Sequence, residues 1–274
     1  MGHTSRRWHR KRIAERRYGN PKTIGVSDDR EEKTTLTLQG TISVASNDLP
    51  KTSIEDVSEF FQTEAYRNLL VNGGGERPCS EVEVTPQLLD DWKNRCLTLD
   101  ACQPDENDSI LSVVSPGLQF PGLKVESNNV IGVKYIENGE DGISTIDESN
   151  EKRRGSRYEF VLLANKQTAS GLAPTVWIFR KLTGADKNGG EDNSKIKSLS
   201  TVTYEEKENG NIVFQTVAFL SIGITFPKFL LKILPGDKKT IEKRGGKSIV
   251  KTLNKDIVQS MDSFEKAYLN NFDF

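Results

Sequence analysis

Over residues 248–269 the apolar side chains Val250, Leu253, Ile257, Met261, Phe264 and Tyr268 recur at steps of three and four. That spacing is one face of an α-helix, and Lys251, Lys255, Asp262, Glu265 and Lys266 fall between its members. Near the start the period is two instead. In residues 34–45, Leu36, Leu38, Ile42 and Val44 alternate with Thr, Gln and Ser, which predicts a half-buried strand with an irregularity at Gly40. A helix is expected next, because Thr52-Ser53-Ile54-Glu55 has the capping-box spacing and Val57, Phe60, Phe61, Ala65 and Leu69 form a stripe. Asn72-Gly73-Gly74-Gly75 ends that stripe and reads as a flexible connection. Thr85 and Pro86 suit the N-cap and first turn of a second helix, on which Leu88, Leu89, Trp92 and Cys96 share a face.

From Ile110 onward the pattern predicts strands separated by polar turns. They are expected over 110–114, 118–125 and 130–136, punctuated by Pro116-Gly117 and Asn128-Asn129. Further strands are expected over 158–164, 175–182, 198–205 and 212–224, with charged insertions at 138–154 and 184–195 that read as loops or hairpin tips. Sequential strands joined by short turns imply an antiparallel sheet. The expected fold is therefore α+β: an antiparallel sheet, strongly curved, with two short helices after its first strand and one long C-terminal helix packed in the sheet.

Composition changes this picture mainly at the N-terminus. The 274 residues carry a net charge of -1, with 35% hydrophobic and 28% charged residues, and the mean hydropathy is -0.55. Such an average is too polar for a chain packed throughout, so polar flanks or loops are expected. Residues 1–33 read as a basic tail and linker, and 34–274 as a single domain. Arg6, Arg7, Arg10, Lys11, Arg12, Arg16 and Arg17 face the single acid Glu15, with no apolar run after them. This pattern excludes a secretory signal and fits an organellar transit peptide, a plastid one above all, or alternatively a solvated tail, a nuclear signal or an RNA-binding arm of a cytoplasmic or nuclear protein. The overall charge argues against nucleic-acid contact through any other part of the chain.

Candidate chemistry is sparse. Both histidines, His3 and His9, lie in the tail, so His-based triads, zinc sites and haem ligation are excluded from the body. Cys79, Cys96 and Cys102 lack metal-ligand spacing and suit a reducing compartment. Gly245-Gly246-Lys247-Ser248 mimics the end of a phosphate-binding loop, but the required first glycine falls at Ile241; a bend or close approach is the better reading. Asp147, Glu148 and Glu151 lack the spacing and glycine of a calcium loop, and neither a metal nor a cofactor is assigned.

A first strand, two helices, a run of antiparallel strands and one long C-terminal helix resembles the START-like superfamily, whose helix-grip fold serves lipid-transfer domains, polyketide cyclases and pollen-allergen-like proteins. The resemblance covers roughly residues 34–272. Its most specific part is Phe226-Pro227-Lys228-Phe229-Leu230-Leu231, then Ile241-Glu242-Lys243-Arg244-Gly245-Gly246-Lys247-Ser248 and on to Tyr268, which looks like the end of uncharacterised plastid and cyanobacterial members. The resemblance implies a space between sheet and helix that holds a hydrophobic small molecule such as a lipid, isoprenoid or pigment, without catalysis. Trp177 and Phe179 on a strand, with Met261, Phe264 and Tyr268 on the helix, are the candidate lining residues; ordinary core is the alternative. Phe226, Phe229, Leu230 and Leu231, flanking Lys228 and Lys232, are candidates for a gate or a membrane-docking edge, or for closing the base of the core. Two further readings stay open. One is an assembly factor for an organellar protein complex, and the other a cyclase-like enzyme using Tyr135, Tyr158 or Glu159 for proton transfer.

Overall fold

The computed structural model describes residues 32–50, 53–106, 108–120, 122–137, 156–183, 194–228, 231 and 236–273. The basic tail, residues 138–154, the greater part of 184–195, and both Phe229 and Leu230 lie outside the described residues.

The chain runs β1 (Lys33–Ala45), α1 (Ile54–Gln62), α2 (Glu64–Leu69), β2 (Cys79–Val82), α3 (Pro86–Leu99), β3 (Ser109–Phe120) and β4 (Leu123–Ile136). Then come β5 (Arg157–Gly171), α4 (Ala173–Thr183), β6 (Ser194–Glu206), β7 (Ile212–Pro227) and α5 (Lys238–Asn271). The seven strands form one sheet in the order β1-β7-β6-β5-β4-β3-β2, and every neighbouring pair is antiparallel. The fold is thus α+β, with a seven-stranded antiparallel sheet, short helices and a long C-terminal helix.

Local signals place several boundaries. Ser53 Oγ accepts from Asp56 N at 3.0 Å, one residue on from the expected cap, and Thr85 Oγ1 accepts from Leu88 N at 3.3 Å. Each satisfies an orphan N–H of a helix start. The expected first helix breaks at Thr63, whose backbone is extended. Two other expectations need correction. Residues 175–182 form helix rather than strand, although their β-branched and aromatic residues favour a strand. Pro174 stands in the first turn, where its missing N–H costs nothing, and the single hydroxyl proton of Thr175 is shared between Leu172 O, 2.8 Å from Oγ1, and Gly122 O, 2.6 Å away. Asn128-Asn129 does not interrupt the sheet either; both residues sit inside β4, which begins at Leu123 just after Gly122, at φ 73°.

Helices cover the two faces unequally. On the inner face, Phe60 and Phe61 of α1 meet Tyr158, Tyr204 and Phe214 of the sheet and Phe264 and Tyr268 of α5 in one buried aromatic cluster. Its rings interlock edge to face, as between Phe214 and Phe264 at 4.9 Å and between Phe60 and Tyr268 at 5.2 Å. On the outer face, Trp92 and Cys96 of α3 pack on Ile110, Val161 and Leu163. Gly132 makes this possible, since a Cβ there would lie 2.4 Å from the Trp92 ring. Because both faces are covered at this point, β5 is buried continuously from Tyr158 to Leu163.

Helix α5 starts at Lys238, ten residues before the expected 248, capped by Asp237 Oδ1, which accepts from Thr240 N at 2.7 Å. The Gly245-Gly246 pair therefore lies inside the helix, where it touches β1. A Cβ on Gly246 would stand 2.7 Å from Gln39 O, one on Gly245 would stand 2.5 Å from Leu38 Cδ2, and one on Gly40 would stand 2.7 Å from Val250 Cγ2. The Gly73-Gly74-Gly75 turn is likewise a packing contact rather than a loose connection. All three residues have positive φ, and a Cβ on Gly74 would stand 2.2 Å from Ser263 Oγ of α5.

Gly246→Ala is expected to lower stability by about 1–3 kcal/mol through overpacking against backbone, although alanine is the better helix former by about 1 kcal/mol. Urea unfolding of the two proteins decides the sign. A second expectation concerns alkaline pH. Burial pushes the hydroxyls of Tyr158 and Tyr268 up to about 12 from the ordinary 10.0. The folded state holds these protons more tightly than the unfolded chain, so their contribution is complete below the unfolded value and is lost as pH rises towards the folded one. The urea midpoint should therefore hold up to about pH 9 and fall between about pH 10 and about pH 12; an unchanged midpoint would contradict this.

Candidate functional site

Between the aromatic cluster and the glycine contact, α5 passes over the sheet without closing on it. The space left is a pocket of about 230 Å³. Along the helix it meets Thr252, Asp256 and Ser260, four residues apart, with Leu253 and Ile257 beside them. Leu70 and Val71, which follow α2, form a side wall.

The floor is built from inward positions of five strands. On β4 these are Val125, Ser127, Asn129 and Ile131, and on β6 they are Ile196, Ser198, Ser200 and Val202, in each case every second residue. On β5 the parity changes: Phe160 and Leu162 face the pocket, and so do Asn165 and Gln167. The register between β4 and β5 shifts here, with Val130 opposite Ala164 but Ile131 opposite Leu162. Leu163 is thus the extra residue of a β-bulge, buried in the outer cluster, and its insertion brings two odd-numbered amides to the inner face.

The bulge coincides with a split in the sheet. Pairing between β5 and β6 ends at Val161 and Leu199, although β5 continues to Gly171 and β6 begins at Ser194. A bulged strand bends and twists more strongly, which accounts for the divergence. Pocket residues flank the split: Leu162, Asn165 and Gln167 on one side, Ile196 and Ser198 on the other. From the outer face, Arg95 of α3 donates to Ile196 O at 3.0 Å, giving a partner to a carbonyl on the opened edge.

Lining side chains divide about evenly between apolar and polar. Arg77 and Asp256 are the charged ones, and they form an ion pair of 3.0 Å with only 15% and 23% of their side chains exposed. Asn165 Nδ2 donates to Asn129 Oδ1 within the pocket wall, and Asn165 Oδ1 is buried without a hydrogen-bond partner. Ser198 Oγ is turned to its neighbour strand, donating to Phe219 O at 3.0 Å.

The residues expected to line such a space sit elsewhere. Met261, Phe264 and Tyr268 are fully enclosed in the aromatic core, and Tyr268 Oη donates to Pro50 O at 2.8 Å. The pocket lies one to three turns earlier on the same helix. Trp177 belongs to α4 and is 60% exposed, and Phe179 follows on that helix, its side chain outside the description. Phe226 lies near the end of β7 opposite Thr34, and Leu231 is half-buried in a short turn. Aromatic and apolar spacing does not mark this lining, half of which is polar. The available signal was polar: Ser198 and Ser200 share inward parity with Ile196 and Val202, and Thr252, Asp256 and Ser260 repeat at helical spacing.

The groups weighed for proton transfer also lie away from the pocket. Tyr158 is in the aromatic cluster. Tyr135 Oη accepts from Gln62 at 3.0 Å. Glu159 points to the outer face, accepting from Cys102 N at 2.8 Å and Arg157 Nε at 3.1 Å. Burial pushes the Cys96 thiol up to about 11 and raises that of Cys79, so neither is an activated nucleophile. Among the described residues no group of three or more His, Cys, Asp and Glu could hold a metal ion, and no helix is long and apolar enough to cross a membrane. No family model matches the sequence, and no curated protein matches it either.

Removing one partner of the Arg77–Asp256 pair strands the other in a largely buried position. Asp256→Ala is expected to destabilise the protein by about 1–3 kcal/mol. The double change Arg77→Met with Asp256→Leu should recover much of that loss, because apolar replacement of both partners removes the unpaired charge. A double-mutant cycle followed by urea unfolding checks this; additive effects would show that the pair is not coupled.

Proposed function

We propose that this protein is a non-enzymatic binder or carrier of a small, largely apolar molecule, and that it is a helix-grip protein of the START-like type. The observation that carries the binding reading is the pocket of about 230 Å³ between α5 and the sheet. The fold reading is supported by the order of elements: a first strand, two short helices, further antiparallel strands and a terminal long helix. Against that plan the expected first helix is split into α1 and α2, the expected second is α3, and β2 and α4 are additions.

A packed protein interior has few voids larger than a water molecule, and an empty apolar cavity of this size would cost about 5 kcal/mol at ~24 cal/mol per Å³. This pocket is half polar, so water rather than vacuum is its alternative to a ligand. Water held among serines and amides can be exchanged for a ligand that reproduces its hydrogen bonds. The volume falls below the about 300–1,000 Å³ of drug-sized sites, which favours a compact ligand or one that extends partly out of the pocket.

Native mass spectrometry of the protein isolated from its own cells, followed by organic extraction, should release a stoichiometric small molecule. An empty protein carrying another polypeptide would favour the assembly-factor reading instead. Ser200→Leu, which places an aliphatic side chain in the pocket floor, should weaken ligand retention by at least about tenfold while leaving the melting temperature equal or higher. Undiminished retention would move the binding site elsewhere.

A further inference from the structure

We propose that the pocket selects an uncharged ligand with an apolar body and a hydrogen-bond-donating group, a hydroxyl or an N–H, seated on the Asn129–Asn165 amide pair; this rests on the binding reading above. Asn165 gives one of its two amide N–H groups to Asn129 Oδ1. Its own Oδ1 is buried with no partner, and both residues line the pocket. Buried polar atoms without partners are few in native proteins, and each calls for a partner, a water or a ligand group, that completes it. An amide oxygen accepts and cannot donate, so the group that completes it must bring a proton of its own.

Charge sets the second half of the selection. Arg77 and Asp256 are the charged lining residues, and each neutralises the other at 3.0 Å. A carboxylate ligand would have to draw Arg77 away from its partner, and an ammonium would have to draw Asp256 away, leaving a largely buried charge uncompensated in either case. A neutral donor meets no such penalty. A pure hydrocarbon of the same size would displace water from the polar wall without replacing its hydrogen bonds, and so is disfavoured as well. The bulge at Leu163 ties this chemistry to the fold, because without the extra residue Asn165 would face outward.

Calorimetric titration of the full chain with 1-octanol, octyl methyl ether and octanoate tests the proposal, since the three differ in donor and charge but share an apolar tail. The alcohol is expected to bind about tenfold more tightly than the ether, the size of one net hydrogen bond, and more tightly than octanoate. Asn165→Leu and Asn165→Val should bind alcohol and ether equally, and a melting curve identifies which variant retains the parent's fold. Equal binding of alcohol and ether by the unaltered protein, or tightest binding of octanoate, would overturn the proposal and leave the binding reading standing. No binding of any of the three would count against both. The ratio measured on the unaltered protein needs no variant, so a misfolded substitution does not blunt the test.

Discussion

Helix α5 is held close to β1 by backbone contact. Gly40, Gly245 and Gly246 have no side chains, and a Cβ at any of them would stand within 2.7 Å of an atom across the interface. Glu242 Oε1 adds a hydrogen bond from Thr37 N at 2.9 Å. At the other end the helix is fixed to the segment after β1, where Glu265 accepts from Asn47 N at 3.0 Å and from Asn47 Nδ2 at 2.9 Å. A helix tied down at two places is committed to a line between them, whatever lies beneath it. Large rings fill the C-terminal part of that line, and small polar residues fill the middle, which is why the pocket occurs there.

The sheet contributes its own irregularity. One extra residue, Leu163, is absorbed by the outer cluster under α3, so its burial stabilises the outer face while the inner face changes register. Past that point β5 leaves β6, and polar Asn165, Gln167 and Ser198 stand at inward positions beside apolar Leu162 and Ile196. Packing on the outer face and polarity on the inner face are therefore linked through one bulge. The ion pair between Arg77 and Asp256 joins the turn after α2 to α5, which gives the side wall a fixed distance from the helix.

Legibility followed the strength of local periodicity. The face of α5 from Leu253 to Tyr268 and the alternation of β1 were readable, because burial against a single partner surface leaves a clean repeat; Val250 is exposed, and Ile249 takes the buried place beside it. The strands from Ser109 to Gly171 were harder. They are long, buried on both faces in part, and interrupted by Pro116-Gly117 without ending there. Helix α4 was misread because Val176, Trp177, Ile178 and Phe179 carry strand propensity, while the turn residues before them and the bonds of Thr175 decide for a helix. The fully enclosed aromatics of α5 were correctly placed on the helix's inward side, yet enclosure and pocket lining look alike in a sequence; both demand an apolar stripe.

The sequence by itself determined the class of fold, the amphipathic terminal helix, the cap at Thr85 and the absence of histidine from the body, since each depends on residue identity or on neighbours within a few positions. Only the tertiary structure decided that Gly245-Gly246 presses on β1, that Gly132 admits Trp92, and that Asn165 and Gln167 face inward beyond a bulge. These depend on which strand lies opposite which, and on the distance between elements far apart in the chain. Local spacing does not encode that distance.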